Sequence, residues 1–428
     1  MEKVKIGLLG FGVVGQGVWK LISDNQHEIQ NNTGLQMEVS KILIKNPDKK
    51  RVLPAEHPLY TTRWEDILED DSIKFIVELM GGIESAGRYI REALNAGKHV
   101  VTANKALLAM HGAELTQLAD KNNVKIRYEA SVAGGIPVLQ AVRESLAANR
   151  IESIMGIVNG TTNYILTRMA EDKITFEAAL NEAQLKGYAE TDPTADVEGF
   201  DAAHKLTILA SLGFKTNISF GQVYREGISQ ITPMDIEYAE ELGYSIKLLA
   251  IGKDDNGKIA LRVHPTMIRK SHPLASVHDA FNAVYVKGNA AGDLMFYGKG
   301  AGDLPTASAV MGDIISLARN QNTVSDITYP LHYQENGKKI QSMDDTNTAY
   351  YIRLLVNDIP GVLGRIATTF GKQGVSLSSV IQKGDTEPVS LVFVTHRARE
   401  RSLQQAIKDI QQEQELLKVA GIIRVEDI

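Results

Sequence analysis

The stretch Val4-Lys5-Ile6-Gly7-Leu8-Leu9-Gly10-Phe11-Gly12-Val13-Val14-Gly15 decides the fold. Its apolar first half reads as a buried strand, and Val13 to Ile22 reads as the helix that follows. Glycines at 10, 12 and 15 stand at the strand-to-helix turn. In that context the spacing suits a dinucleotide. The first glycine permits the turn, the second lets a pyrophosphate reach the backbone, and the third allows close helix–strand packing. The helix N-terminus then meets the anion. Outside that context the pattern would be weak, since the chain has 36 glycines among 428 residues.

Outward from this motif, short apolar runs continue to alternate with helical patterns. Val39 to Ile44, Phe75 to Leu79, His99 to Thr102 and Val124 to Tyr128 read as strands, with a helix from Ser85 to Ala96 that stops at Gly97. Such alternation implies βαβ units and a parallel sheet covered on both faces. Residues 1–135 are therefore expected to form a doubly wound nucleotide-binding domain. The second strand ends in Ile44-Lys45, near Lys49, Lys50 and Arg51, where an NAD-preferring site carries Asp or Glu for the ribose 2′-hydroxyl. A cation there would pair with a 2′-phosphate, so NADP(H) is favoured and NAD(H) stays possible. A solvated lysine cluster is the plainer meaning of the same run.

From residue 136 the pattern changes. Gly135-Ile136-Pro137 opens a helix to about Ala148, and Ile151 to Val158 alternates like a one-sided strand. Thr161 to Glu171, Thr175 to Lys186 and Asp201 to Leu212 read as helices. Tyr244 to Ile251, Ile259 to Thr266 and Ala283 to Lys287 read as antiparallel strands, with Asp254-Asp255-Asn256-Gly257 as a hairpin turn. Residues 136–325 thus form an expected α+β catalytic and dimerisation domain, with a helix at 305–320 returning to the first domain. Residues 326–348 are polar and read as a linker. Residues 349–428 form a βαββα unit plus a last strand from Val419 to Val425.

Composition narrows the function. Disulfides, thiolate nucleophiles and cysteine-bound metals are excluded, because the chain has no cysteine. A net charge of −6 gives no sign of nucleic-acid binding. No run reaches the ~18 apolar residues of a membrane span, and the N-terminus lacks a signal-peptide layout. A cytoplasmic protein without membrane or nucleic-acid partners is expected.

Several motifs resemble homoserine dehydrogenase. They are the glycine motif above, Val101-Thr102-Ala103-Asn104-Lys105, Asn159-Gly160-Thr161-Thr162-Asn163-Tyr164-Ile165-Leu166, and the long run Gly187-Tyr188-Ala189-Glu190-Thr191-Asp192-Pro193-Thr194-Ala195-Asp196-Val197-Glu198-Gly199-Phe200-Asp201-Ala202-Ala203-His204-Lys205. The match runs in order over nearly the whole chain. It implies the interconversion of L-homoserine and L-aspartate 4-semialdehyde, on the route to threonine, methionine and isoleucine. It implies Lys205 as proton donor or acceptor, Lys105 as a contact to cofactor and substrate, and Glu190 on the substrate amino group. Asp201 and Asp196 would position the amine and Lys205. The implied cofactor set takes in Gly10, Phe11, Gly12, Val13, Val14, Gly15, Lys45, Met80, Ala103, Lys105 and Gly302.

The chemistry of these residues can be read separately. Taking a hydride from an alcohol carbon leaves a proton on oxygen, so a base must stand beside it. With no cysteine and no histidine in a recognisable acid–base pair, a lysine remains. Asp201 and Lys205 are spaced i,i+4 and share one helix face. A surface ion pair is the usual meaning of that spacing. Lysine works near neutrality only if burial or a second cation lowers its pKa. Lys105, at the carboxyl edge of the parallel sheet, is such a cation. Asn159-Gly160-Thr161-Thr162-Asn163 suits a helix cap, a carboxylate ligand, or both. Lys299-Gly300-Ala301-Gly302-Asp303 offers bare backbone N–H groups for the cofactor, or a plain turn.

By the same resemblance, Glu129 and the carbonyls of Val132, Gly134 and Ile136 would hold a sodium ion, with a helix-capping glutamate as the alternative. Asn357-Asp358-Ile359-Pro360-Gly361-Val362 resembles the loop of an ACT domain, which often binds amino acids where two such domains pair. Asn357, Gly361 and Val362 are the candidate effector contacts, with threonine the natural effector, and a dimer or larger homo-oligomer is expected. A purely assembling domain fits equally. Two other functions compete with the dehydrogenase: a non-catalytic NAD(P)-binding amino-acid sensor, and a dehydrogenase for a different semialdehyde.

Overall fold

The computed structural model describes residues 2–54, 56–319, 338–383 and 388–426. In chain order the strands are β1 (Glu2–Leu9), β2 (Leu35–Leu43), β3 (Tyr60–Thr61), β4 (Phe75–Glu78), β5 (His99–Thr102), β6 (Ile126–Arg127), β7 (Ile151–Ile157), β8 (Tyr224–Arg225) and β9 (Tyr244–Asp255). They continue with β10 (Lys258–Arg269), β11 (Phe281–Gly288), β12 (Gly292–Lys299), β13 (Lys339–Ile340), β14 (Asn347–Val356), β15 (Leu377–Lys383), β16 (Val389–Thr395), β17 (Ala398–Arg399) and β18 (Leu416–Glu426). The chain divides into two compact units: residues 1–154, 204–222 and 282–338, and residues 155–203, 223–281 and 339–428.

The first unit carries a parallel six-stranded sheet in the order β3-β2-β1-β4-β5-β6. Every residue of the central strand β4 is buried, as expected where helices cover both faces of a parallel sheet. The helix Val13–Asp24 follows β1, Glu84–Asn95 follows β4, and Lys105–Lys121 follows β5. The last of these was not read from the sequence. Its hydrophobic stripe is weak, and its start is set by Asn104, whose side-chain oxygen accepts from the Leu107 N–H at 3.2 Å. The helix Asp303–Arg319 packs on Val13–Asp24, so closely that a Cβ on Gly17 would lie 2.7 Å from the Asp303 carbonyl. Its Ala307, Val310 and Ile314 share a core with Val4, Ile6 and Val18. Each such aliphatic side chain contributes roughly 1.5–3 kcal/mol through burial.

The helix expected from 136 to 148 is broken into Val138–Gln140 and a π-turn at Ala141–Ser145. Its first turn is held from below, where the Glu129 carboxylate accepts from the Leu139 and Gln140 N–H groups at 2.8 and 2.7 Å. Arg143 is buried with its guanidinium over the Tyr128 ring.

In the second unit, β9 and β10 form the hairpin expected from Asp254-Asp255-Asn256-Gly257. Asp255 pairs with Lys258, and both turn residues have positive φ, 51° and 89°. The helices Gly160–Glu171, Phe176–Leu185 and Pro233–Glu241 belong to the same unit. The C-terminal module is β14, the helix Val362–Lys372, β15, β16, the helix Glu400–Ile410 and β18. Tyr350, Ile352, Leu354, Ile366, Phe370 and Phe393 lie in its core.

Within the second unit this module is joined to the β9–β10 hairpin by strand pairing. The end of β18 pairs with β10 in parallel, Thr266 with Arg424 and Ile268 with Glu426, so that one sheet runs β9-β10-β18-β14-β16-β15. Of the residues read as a linker, 326–337 lie outside the described residues. The rest is structured, because β13 pairs with β10 and β14 begins at Asn347.

Candidate active site

The carboxyl edge of the parallel sheet is stitched from three loops. After β1, Gly10 has φ +93°, and a Cβ there would come within 2.8 Å of the Leu79 carbonyl. Gly12 is the N-cap of the helix Val13–Asp24, and a Cβ built on it meets nothing within 4 Å. Gly15 is the opposite case, since its Cβ would collide with the Gly10 carbonyl. The three glycines therefore serve a turn, an open approach and a close packing contact. The helix N-terminus behind Gly12 has no side-chain cap, so its N–H groups face the open space.

Phe11 is buried edge-on to Tyr60, while Val13 is exposed and Val14 half-buried. Lys45 is exposed just past the end of β2. The loop that follows is tied back to the glycine helix by the Val52 N–H, which donates to Gln16 Oε1 at 2.7 Å. Arg51 lies over the Tyr60 ring.

Sequence reasoning missed the residue that organises the next two loops. Glu78, at the end of β4, is fully buried. It accepts from the Met80 N–H at 2.8 Å, the Gly81 N–H at 3.2 Å and the Thr102 hydroxyl at 2.6 Å. Asn104 adds a bond to the Gly82 carbonyl at 2.6 Å. Met80, Ala103 and Lys105 are thereby fixed at one edge, with Met80 exposed and Ala103 and Lys105 half-buried. A carboxylate closing an apolar strand was the signal available for Glu78.

In the second unit Asn159 does two jobs. Its Oδ1 caps the helix Gly160–Glu171 by accepting from the Thr162 N–H at 2.8 Å. Its Nδ2 donates to Asp196 Oδ1 at 2.7 Å and Asp201 Oδ2 at 2.9 Å. The two motifs that contain these residues are thus joined by one amide. Asn163 donates to the carbonyls of Val277, Asp279 and Phe281, so it fixes a loop. Glu190 is exposed, and Gln184 holds its backbone carbonyl at 3.0 Å. Asp201 and Lys205 lie one turn apart on the helix Phe200–Phe214, and both are buried, 5% and 8% exposed. Those values remove the surface ion pair as an account of their spacing.

Glu129 is the capping residue already described, and both of its carboxylate oxygens are engaged. Burial, with the nearby Asp313 carboxylate, pushes its carboxyl up to about 7 despite the two backbone N–H donors. Val132, Gly134 and Ile136 are buried, and Gly134 has φ +52°. Among the described residues the carbonyls of Val132 and Gly134 accept no hydrogen bond. Gly302, at φ +128°, precedes the helix Asp303–Arg319. In the C-terminal module Gly361, at φ +89°, starts the helix Val362–Lys372, which has no side-chain cap. Asn357 is half-buried and Val362 buried.

Comparison with known proteins settles what these sites have in common. The model of the homoserine dehydrogenase NAD-binding domain matches residues 10–129, and that of homoserine dehydrogenase matches residues 137–315. The chain belongs to the homoserine dehydrogenase family. An ACT domain matches residues 350–415. Homoserine dehydrogenase of Bacillus subtilis is 41% identical over 432 residues, covering 100% of this chain and 99% of the relative. That of Corynebacterium glutamicum is 44% identical, covering 99% and 96%. The crystal structure of a homoserine dehydrogenase from Thiobacillus denitrificans superposes with a TM-score of 0.95 at 41% identity, covering 100% and 99%. A hyperthermophilic archaeal homoserine dehydrogenase in complex with NADPH is similar at a TM-score of 0.62 and 27% identity, covering 74% and 98%. As a homoserine dehydrogenase family member the chain is an oxidoreductase with a nicotinamide-nucleotide-binding domain and a C-terminal ACT domain. The sensor without chemistry has no support in these matches.

Proposed function

We propose that Lys205 moves the proton as L-homoserine and L-aspartate 4-semialdehyde interconvert. The nicotinamide, when bound, supplies or accepts the hydride. The observation that carries this reading is a lysine 8% exposed, one turn from an aspartate whose carboxylate is held by an amide. Lysine is almost never buried to that degree without a partner or a task. Asp201 positions the ammonium, Asp196 shares the same amide, and exposed Glu190 binds the substrate amino group. Lys105, at the sheet edge, contacts cofactor and substrate. Its charge lowers the proton affinity of a neighbouring amine.

The nucleotide lies across Gly10, Phe11, Gly12, Val13, Val14 and Gly15, with Met80, Ala103 and Gly302 completing its bed. Open space over Gly12 supports this reading. Lys45 supports a preference for NADP(H), and NAD(H) remains a substrate. The archaeal relative with NADPH bound is in keeping with that preference.

Val132, Gly134 and Ile136, with the backbone of Glu129, fit a sodium ion better than the Glu129 carboxylate does. Two buried carbonyls without hydrogen bonds suit a hard cation, and the carboxylate is already committed. The ACT domain binds an amino-acid effector, threonine first, at Asn357, Gly361 and Val362 of paired chains in a homodimer or larger assembly. The enzyme works in the cytoplasm; among the described residues no helix is long and apolar enough to cross a membrane.

Turnover of Lys205→Ala, followed as absorbance of the reduced nicotinamide, tests the central claim. Loss of turnover with cofactor affinity kept is the expected result. Turnover at the wild-type rate removes Lys205 from the chemistry.

A further inference from the structure

A cavity of about 680 Å³ lies in the second unit, away from every residue assigned above. It is walled by the β9–β10 hairpin, β13, the start of β14, and the segment leading into β17. Six cationic side chains line it: Lys253, Lys258, Arg262, Lys339, Arg397 and Arg399. Only two lining residues are acidic, Asp255 and Asp345, and Asp345 is already paired with Arg401 outside the cavity.

Behind the wall, Lys253 and Arg262 share one carboxylate, Glu426, at the end of β18. That leaves an excess of cations at the base of the cavity as well as at its mouth. Arg262 is 3% exposed, and its Nε has no hydrogen-bond partner among the described residues. Lys258, Lys339 and Arg399 are exposed and make no ion pair among the described residues. Among the described residues Arg397 donates to the Asn347 carbonyl at 3.0 Å and makes no ion pair. The β10–β13 pairing sets Lys258 beside Lys339, and Arg399 lines the same cavity, so like charges that repel one another are gathered here. Burial, together with Arg262 and Arg397, lowers the Lys253 ammonium despite its bond to Glu426.

We propose that this cavity binds a small phosphate-class polyanion. Its size is that of a small-molecule site. Arginine and lysine converging from separate strands suit phosphoryl oxygens, the guanidinium forks as bidentate donors and the ammonium groups as point charges. None of the described lining residues is aromatic, so nothing stacks on a nucleobase. The ligand is recognised by charge, as a polyphosphate or a phosphorylated small molecule. Since Lys253 and Arg262 also hold Glu426, an anion here strengthens the join between β10 and β18, and with it the attachment of the ACT domain to the β9–β10 hairpin.

The test uses the full chain with its dinucleotide site filled by saturating NADPH, and pyrophosphate as the probe. Thermal unfolding and titration calorimetry are compared with sodium chloride at equal ionic strength. Saturable stabilisation by pyrophosphate is expected, weakened at least ~10-fold in Lys258→Ala/Lys339→Ala/Arg399→Ala. All three side chains are exposed and make no ion pair among the described residues, so that variant should fold and turn over like wild type. Stabilisation no greater than that by chloride overturns the proposal. So does pyrophosphate binding that the triple substitution leaves intact, which would assign it to another site. Citrate at matched charge is the second arm, and affinity equal to that of pyrophosphate overturns the phosphate assignment.

Discussion

Asn159 donates to Asp201 at 2.9 Å while the same side chain caps the helix Gly160–Glu171. The amide thus couples a helix start to a buried carboxylate on another helix. Asn159→Ala removes a cap, at about 1 kcal/mol. It also strips a donor from a buried acid, at about 1–3 kcal/mol more. A fall in kcat/KM of at least ~10-fold should accompany the lost stability, because an unheld Asp201 no longer orients Lys205. Urea unfolding and steady-state kinetics on the same preparation check both, and unchanged kinetics would leave Asn159 with the cap alone.

Gly12 and Gly15 should respond oppositely to alanine. Gly12→Ala puts a methyl into open space, so the melting temperature should hold while the KM for cofactor rises at least ~10-fold through loss of close pyrophosphate approach. Gly15→Ala drives a methyl into the Gly10 carbonyl and should destabilise by roughly 1–3 kcal/mol. Melting curves with and without cofactor separate the two. Equal loss of stability in both variants would contradict the assigned roles.

Lys45 stands where the second strand ends, exposed and beside the glycine turn. Lys45→Asp should raise the ratio of kcat/KM with NAD to that with NADP by at least ~10-fold, since a carboxylate repels a 2′-phosphate and accepts from a 2′-hydroxyl. Kinetics with each cofactor provide the ratio. If it does not move, the specificity lies elsewhere.

Burial alone would raise the Glu426 carboxyl, but Arg262 and Lys253 outweigh it and hold the group at about 2. A free glutamate titrates near ~4.3. The folded value is the lower one, so the pairing stabilises the protein fully above that pH and is lost as pH falls towards 2. Glu426→Gln leaves two cations without their carboxylate and should cost about 3–5 kcal/mol at neutral pH. The gap between variant and wild type should close on acidification. Urea midpoints at pH 7, 4.5 and 3 measure it, and a gap independent of pH would show that packing, not charge, joins β18 to β10.

Local chemistry was legible where it had a local cause. The glycine turn after β1 and the Asp254–Gly257 hairpin each depend on φ preferences within a few residues, and the structure has them where the sequence placed them. The helix Lys105–Lys121 and the broken helix after Pro137 were not legible. Each depends on a partner distant in sequence or on a cap that only the folded turn reveals.

By itself the sequence determined the alternation of strands and helices, the nucleotide turn and the motifs that mark the family, because period and glycine geometry are properties of neighbouring residues. Tertiary structure decided that Asp201 and Lys205 are buried rather than a solvated pair, and that Asn159 binds Asp201. It also decided that β18 pairs with both β10 and β14 and that six cations meet around one cavity. Burial and long-range charge pairing arise only when segments far apart in the chain are brought together, and no spacing along the chain records them.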